Sequence, residues 1–444
     1  MMKKIFLAIF ILPLSLIAQK NYPQLMDNYM KAQVDVKEFS GTVLLIQKDK
    51  VIYEKAFGLA DREWNVPNTI NTKYRIGSIT KQFTAACILQ LAEQGKLSLN
   101  DKLSKYIPDY PKGDSVTIHM LLNHTSGIAN YTSLPAFWPK SILPLSRDSM
   151  IAIFKYAPYD FSPGSKWNYS NSGYFLLGYI IEKVAGENYG DYLLKNVIQK
   201  IGLKNTLLDR VDSILPYRAK GYEKDGRVWR NAMLISMEGP FSAGAMVSTV
   251  EDLHKWMKAL MENKVVSAAS VQKMTTPYMN HYGFGLGMDS LFKHKRIGHS
   301  GGIPGFVSYL GYYPDDDLYT IVLSNDGISS PQIAEGLASI LFNQPVFVPY
   351  IPKEIKLPVT QLEKFTGTYK LISEGTDMDI IRKGDTLYRH SAGKDEVELK
   401  PESSTRLFYA DGSDRFIDFE FDKNGAVSKA TLLNGIIKYD LKKK

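Results

Sequence analysis

Strand-forming runs lie at widely separated places in this chain, and that separation limits the folds open to it. Near the start, Thr42-Val43-Leu44-Leu45-Ile46 and Val51-Ile52-Tyr53 flank Lys48-Asp49-Lys50, the pattern of two β-branched strands joined by a short polar turn. Strand patterns return in Phe306 to Tyr313 and Leu318 to Ser324, separated by Pro314-Asp315-Asp316-Asp317, with a short helix predicted from about Gln332 to Phe342. Between these ends, the region from about residue 100 to 260 is dominated by helical spacing, as in Tyr174 to Val184 and Ser248 to Met261, joined by loops rich in Pro, Asn and Gly. The distant strands then complete one α/β sheet around a mainly helical insertion.

Beyond this body the sequence changes character. Pro345, Pro349, Pro352 and Pro358 deny ladder hydrogen bonds and stiffen the chain, so residues 345–358 read as a linker. Phe416-Ile417-Asp418-Phe419-Glu420-Phe421 alternates strictly, and Asn424-Gly425 and Asn434-Gly435 are hairpin turns, which predicts a small antiparallel β-barrel or sandwich over 359–444. At the other end, Lys3-Lys4 precedes an apolar run from Ile5 to Ile17 and then Ala18, a secretory signal over 1–18 with cleavage expected near Ala18. The run is shorter than the roughly 20 residues that span a bilayer. Residues 19–344 are left as the main domain of an exported, periplasmic or secreted protein with no stable membrane span after cleavage.

Cys87 is the single cysteine, so no intramolecular disulfide is possible; within Ala85-Ala86-Cys87-Ile88-Leu89 it reads as a buried structural thiol. The formal charge of +8 is spread along the chain apart from Lys442-Lys443-Lys444, with no basic run interleaved with aromatics, so no nucleic-acid partner is expected. His119/His124 and His294/His299 are each five apart, off a common helix face, so no metal is expected. No phosphate-cradling glycine motif appears and no cofactor is expected.

A serine hydroxyl needs a nearby base to become a nucleophile. Ser78-Ile79-Thr80-Lys81 supplies one, because positions i and i+3 share a helix face and Ile79, Phe83, Cys87, Ile88 and Leu91 recur at helical spacing until Gly95. The helix N-terminus stabilises developing negative charge and disfavours the ammonium form of the lysine. The tetrapeptide is weak evidence alone, since Ser270 to Lys273, Ser290 to Lys293 and Ser391 to Lys394 share its spacing. Two later elements single out Ser78: Tyr169-Ser170-Asn171, whose phenol can shuttle a proton and whose amide can hold a substrate, and His299-Ser300-Gly301-Gly302, which precedes a strand able to donate N–H groups.

In these boxes and their order the chain resembles the serine β-lactamase and penicillin-binding-protein family, in the branch of class C β-lactamases, D-alanyl-D-alanine carboxypeptidases and D-aminopeptidases. Asn123-His124-Thr125-Ser126-Gly127-Ile128, Phe161-Ser162-Pro163-Gly164 and Ala243-Gly244 extend the resemblance from about Phe39 to Phe342. It implies a β-lactamase/transpeptidase-like antiparallel sheet flanked by helices, with a mainly helical subdomain and a small all-β C-terminal domain that fills or gates the cleft. It also implies Ser78 as nucleophile, Lys81 and Tyr169 sharing the general-base work, and substrate binding by Asn171, His299, Ser300 and Gly301. The oxyanion hole falls to the backbone N–H groups of Ser78 and Gly302.

The third box begins with histidine where class C enzymes usually have lysine, and a neutral histidine anchors a carboxylate less firmly. The expected activity is therefore a peptidase or esterase acting through an acyl-enzyme on a D-amino-acid, short peptide or acyl ester. The alternatives are a β-lactamase, a non-catalytic binding protein of the same fold, or an α/β-hydrolase in which Gly298-His299-Ser300-Gly301-Gly302 forms a nucleophile elbow around Ser300. An elbow needs a helix straight after the serine, and an alternating strand follows instead. The partner is a small-molecule or peptide substrate, and the oligomeric state stays open.

Overall fold

The computed structural model describes residues 21–226, 228–391 and 394–444; the signal assigned to 1–18 lies outside the described residues. Among them, no helix is long and apolar enough to cross a membrane.

Helix α1, Tyr22–Lys37, precedes the hairpin of β1, Gly41–Gln47, and β2, Lys50–Phe57. Four further strands, β3 Gly287–Leu291, β4 His294–Ile303, β5 Phe306–Tyr313 and β6 Leu318–Ser324, complete an antiparallel sheet ordered β3-β4-β5-β6-β1-β2. The two distant regions join where β1 runs against β6, from Gly41 opposite Ser324 to Gln47 opposite Leu318. Both strands are buried on both faces, so their sequences are continuous apolar runs. Leu44 and Ile46 face the larger core, whereas Val43 and Leu45 face α1 and the helix Ser330–Leu341.

Helix α2, Thr80–Glu93, is buried from Thr80 to Leu91, as a helix without a polar face must be. Phe83 stacks on Trp256 at 3.8 Å, the Trp256 indole N–H donates to Gln82 Oε1 at 2.7 Å, and Thr84 Oγ1 donates to the Ser242 carbonyl at 2.7 Å. These partners remove much of the cost of burying polar groups and fix the helix rotationally. Cys87 packs inside it as a buried thiol.

The tail is a closed barrel of eight antiparallel strands between Gly367 and Lys443, its first strand pairing with its last at Tyr369 and Lys443. Ile417 and Phe419 point inward with Tyr369, Leu387 and Leu407, while Phe416 points outward and stacks with Tyr350 of the connecting segment at 5.6 Å. An ion pair of 2.6 Å between Lys37 and Asp414 ties the barrel to the end of α1.

Candidate active site

Strand β3 covers β4 only from His294 to Gly298, leaving His299 to Ile303 with no strand on that edge. The turn Gly77–Ile79, a single 3-10 turn, lies against this stretch and runs directly into α2. Two glycines permit the approach. Gly77 has φ +49°, and a Cβ there would stand 2.8 Å from Gly302 N; a Cβ on Gly301 would stand 2.0 Å from the Ile76 carbonyl oxygen. Ser78 is thus in the turn before the helix rather than at the first residue of the helix proper, and no side chain caps that end.

Lys81 is fully buried, and its Nζ lies 3.0 Å from Ser78 Oγ, 2.7 Å from Asn171 Oδ1 and 2.7 Å from the Ala243 carbonyl oxygen. Burial holds its pKa well below that of an ordinary lysine. A neutral amine has two N–H groups and one lone pair. Asn171 Oδ1 and the Ala243 carbonyl can only accept, so they take both N–H groups and leave the lone pair facing the Ser78 hydroxyl.

Tyr169 sits one residue before the cap of the helix α3, Asn171–Ala185, where Ser170 Oγ accepts from the Gly173 N–H at 3.3 Å. Its hydroxyl is enclosed and makes no hydrogen bond of ordinary geometry; Ser78 is the polar group within its range. Burial raises its pKa, so the phenol keeps its proton at neutral pH. The Lys81 Nζ lies 4.8 Å from the centre of its ring.

His299 Nδ1 is 2.5 Å from the Ser300 carbonyl oxygen and Nε2 is 2.9 Å from the Tyr282 hydroxyl. The carbonyl must accept, which puts the proton on Nδ1 and leaves Nε2 to accept from Tyr282. Burial first, and then the charge that Lys81 carries whenever it is protonated, lower its pKa to about 4, so the imidazole is neutral.

The structure brings Ser78, Lys81 and Asn171 into direct contact, sets the Tyr169 ring 6.1 Å from that of His299, and lays Gly301 and Gly302 against the turn of Ser78. Asn171 Oδ1 accepts from Lys81, and its Nδ2 donates to Thr132 Oγ1 at 3.3 Å. Ser300 lies inside β4, paired with Tyr309 of β5 and with β4 continuing to Ile303 after it, and not on the strand-to-helix turn that a nucleophile elbow requires.

Trp167, Tyr169, Tyr282, His299 and Ser300 line a cavity of about 460 Å³, and none of its described lining residues lies beyond Glu335. The barrel therefore contributes nothing described to that wall. A larger cleft of about 710 Å³ beside Leu97, His119 and Phe284 contains none of the site residues. Sequence reasoning missed Tyr282, which no local pattern links to His299, and gave no task to the carbonyl of Ala243, although Ala243-Gly244 lay within the resemblance.

A serine contacting a desolvated lysine at the head of a buried helix, beside an open strand edge, is the arrangement of a serine hydrolase. The beta-lactamase family model matches residues 24–340. Penicillin-binding protein 4* of Bacillus subtilis strain 168 is 30% identical over 399 residues, covering 84% of this chain and 88% of that protein. The chain belongs to the beta-lactamase family of serine hydrolases, with penicillin-binding proteins among its relatives. The octameric penicillin-binding protein homologue from Pyrococcus abyssi superposes with a TM-score of 0.68 at 27% identity, covering 94% of this chain and 99% of that one. The D-amino acid amidase of Ochrobactrum anthropi SV3, at 24% identity, shares the fold with a TM-score of 0.64 over 72% of this chain and 99% of its own.

Proposed function

We propose that this protein forms an acyl-enzyme at Ser78 and acts as a peptidase or esterase on D-amino-acid, short peptide or acyl ester substrates. The observation that carries the reading is the three-way contact of Lys81. With both amine hydrogens committed to Asn171 and Ala243, the lone pair is directed at the serine proton. In the proposed cycle, Ser78 Oγ attacks the acyl carbon as its proton passes to Lys81 Nζ. The backbone N–H groups of Ser78 and Gly302 hold the oxyanion. Tyr169, which keeps its phenolic proton, relays the proton to the leaving amine or alcohol; water then attacks the acyl carbon, and Ser78 regains its proton.

The neutral His299 supports substrates whose binding does not depend on a carboxylate, since both ring nitrogens are engaged and the ring carries no charge. That favours ester or amide hydrolysis over efficient β-lactam turnover, in line with the name of the amidase that shares the fold. We also propose export after cleavage near Ala18 and division into a catalytic domain 19–344, a linker 345–358 and a barrel domain 359–444. The absence of helix or strand between Leu341 and Val359 supports that division.

A panel of p-nitrophenyl esters, D-amino-acid amides, D-Ala-D-Ala peptides and a chromogenic cephalosporin tests the reading. Turnover of an ester or amide that is lost in Ser78→Ala is expected. A protein that binds these compounds without releasing product or accumulating an acyl adduct would be a binding protein of the same fold.

A further inference from the structure

His124 is 1% exposed and lies against the site without touching Ser78 or Lys81 through a hydrogen bond. It holds the main chain on both sides of Tyr169. Its carbonyl oxygen accepts from the Asn168 N–H at 3.0 Å, and its Nδ1 accepts from the Ser170 N–H at 3.2 Å. Its ring centre is 4.4 Å from that of Tyr169 and 4.7 Å from that of Tyr282. The residue adopts φ +63°, a left-handed conformation uncommon outside glycine, in which Asn, Asp and His are the side chains found most often.

Because Nδ1 accepts from an N–H, the proton of the neutral ring is on Nε2, and that buried nitrogen has no partner. An apolar residue would fill the same space and spare the unpartnered Nε2–H, but it would leave the buried Ser170 N–H without its acceptor. The one hydrogen bond of the ring is thus the task served by Nδ1, the grip on Ser170.

We propose that His124 is a positioning residue that fixes the Tyr169 phenol at Ser78 by clamping Asn168 and Ser170. The proposal rests on the reading of Tyr169 as the proton relay. His124→Leu keeps the bulk and removes the acceptor. His124→Asn keeps an acceptor at the place of Nδ1 and tolerates the left-handed backbone.

The test is steady-state hydrolysis of p-nitrophenyl butyrate, or whichever ester the protein turns over best, with thermal melts of each variant. The clamp predicts that H124L lowers kcat about tenfold or more with KM nearly unchanged, whereas H124N keeps roughly a third or more. In a Tyr169→Phe background H124L should lower kcat less than about twofold, because the residue it positions has lost its hydroxyl. If H124L does not fold, His124→Gln takes its place, since its amide lies one carbon too far out to meet the Ser170 N–H. Equal losses in H124L and H124N, or the same loss with and without the Tyr169 hydroxyl, would overturn the clamp. Failure of the underlying reading looks different: Y169F alone would then keep the wild-type kcat.

Discussion

Lys81 Nζ lies 2.7 Å from the main-chain carbonyl oxygen of Ala243, and this contact decides which way the amine can point its lone pair. With Asn171 Oδ1 also at 2.7 Å, a protonated amine would aim its third N–H at Ser78 and be unable to take the serine's proton. In the proposed mechanism the active state of the site is therefore the unprotonated one.

That assignment has a sign in pH. Burial lowers the Lys81 pKa from its ordinary 10.5, so the fraction of active enzyme grows as pH rises and saturates well below pH 10.5. A profile of kcat/KM against pH should rise on the acid side and be flat at alkaline pH. A rate still climbing through pH 10 would mean that the lysine titrates as an exposed one.

Tyr169→Phe removes a hydroxyl that makes no ordinary hydrogen bond, so it should leave the melting temperature unchanged or higher. Loss of the proton relay should lower kcat by about 10²–10⁴-fold with little change in KM. Melting curves and steady-state kinetics on one preparation separate the two effects. A variant with lowered stability and full kcat would give the phenol a structural role.

His299→Lys should place an ammonium where the neutral imidazole now faces the cavity. Hydrogen bonds to charged groups contribute about 1.5–3 kcal/mol, which amounts to roughly tenfold or more in acylation by a carboxylate-bearing compound. The rate of labelling by a fluorescent penicillin measures it. No gain, together with intact ester hydrolysis, would remove His299 from the carboxylate side of specificity.

Gly301→Ala and Gly302→Ala form a matched pair. A Cβ at Gly301 would meet the Ile76 carbonyl oxygen at 2.0 Å, whereas a Cβ at Gly302 would meet no atom within 4 Å. The first should push the strand from the turn of Ser78 and lower both stability and acylation; the second should fold normally. Equal melting temperatures for the two variants would contradict the backbone contact described between β4 and that turn.

Much of the scaffold was legible because burial imposes periodicity. Phe306 to Tyr313 and Leu318 to Ser324 were bounded by turn residues and match strands of the same limits. The helix after Ser78 was legible too, although the serine occupies a 3-10 turn and the α-helix begins at Thr80. Alternation in Phe416 to Phe421 fits a barrel and a sandwich equally, and closure rests on the pairing of Tyr369 with Lys443. The other three Ser-x-x-Lys matches lie in local structure: Ser270 in the helix Ala268–Met274, Ser290 in β3 opposite Lys295, and Ser391 opposite Lys394 across a barrel hairpin.

The site was legible as residue types and less so as contacts. Tripeptide spacing found Asn171 but not that its oxygen belongs to Lys81. The Ala243 carbonyl carries no side-chain signature, and Tyr282 reaches His299 only through folding. Main-chain acceptors and partners from distant segments leave no pattern in a single sequence.

Intact-protein mass spectrometry after treatment with a fluorophosphonate tests the central claim most directly. The wild-type chain should gain the mass of one phosphonyl adduct, located by peptide mapping on Ser78, and Ser78→Ala should gain none while Ser300→Ala labels normally. An adduct retained in Ser78→Ala, or lost in Ser300→Ala alone, would contradict the assignment of the nucleophile.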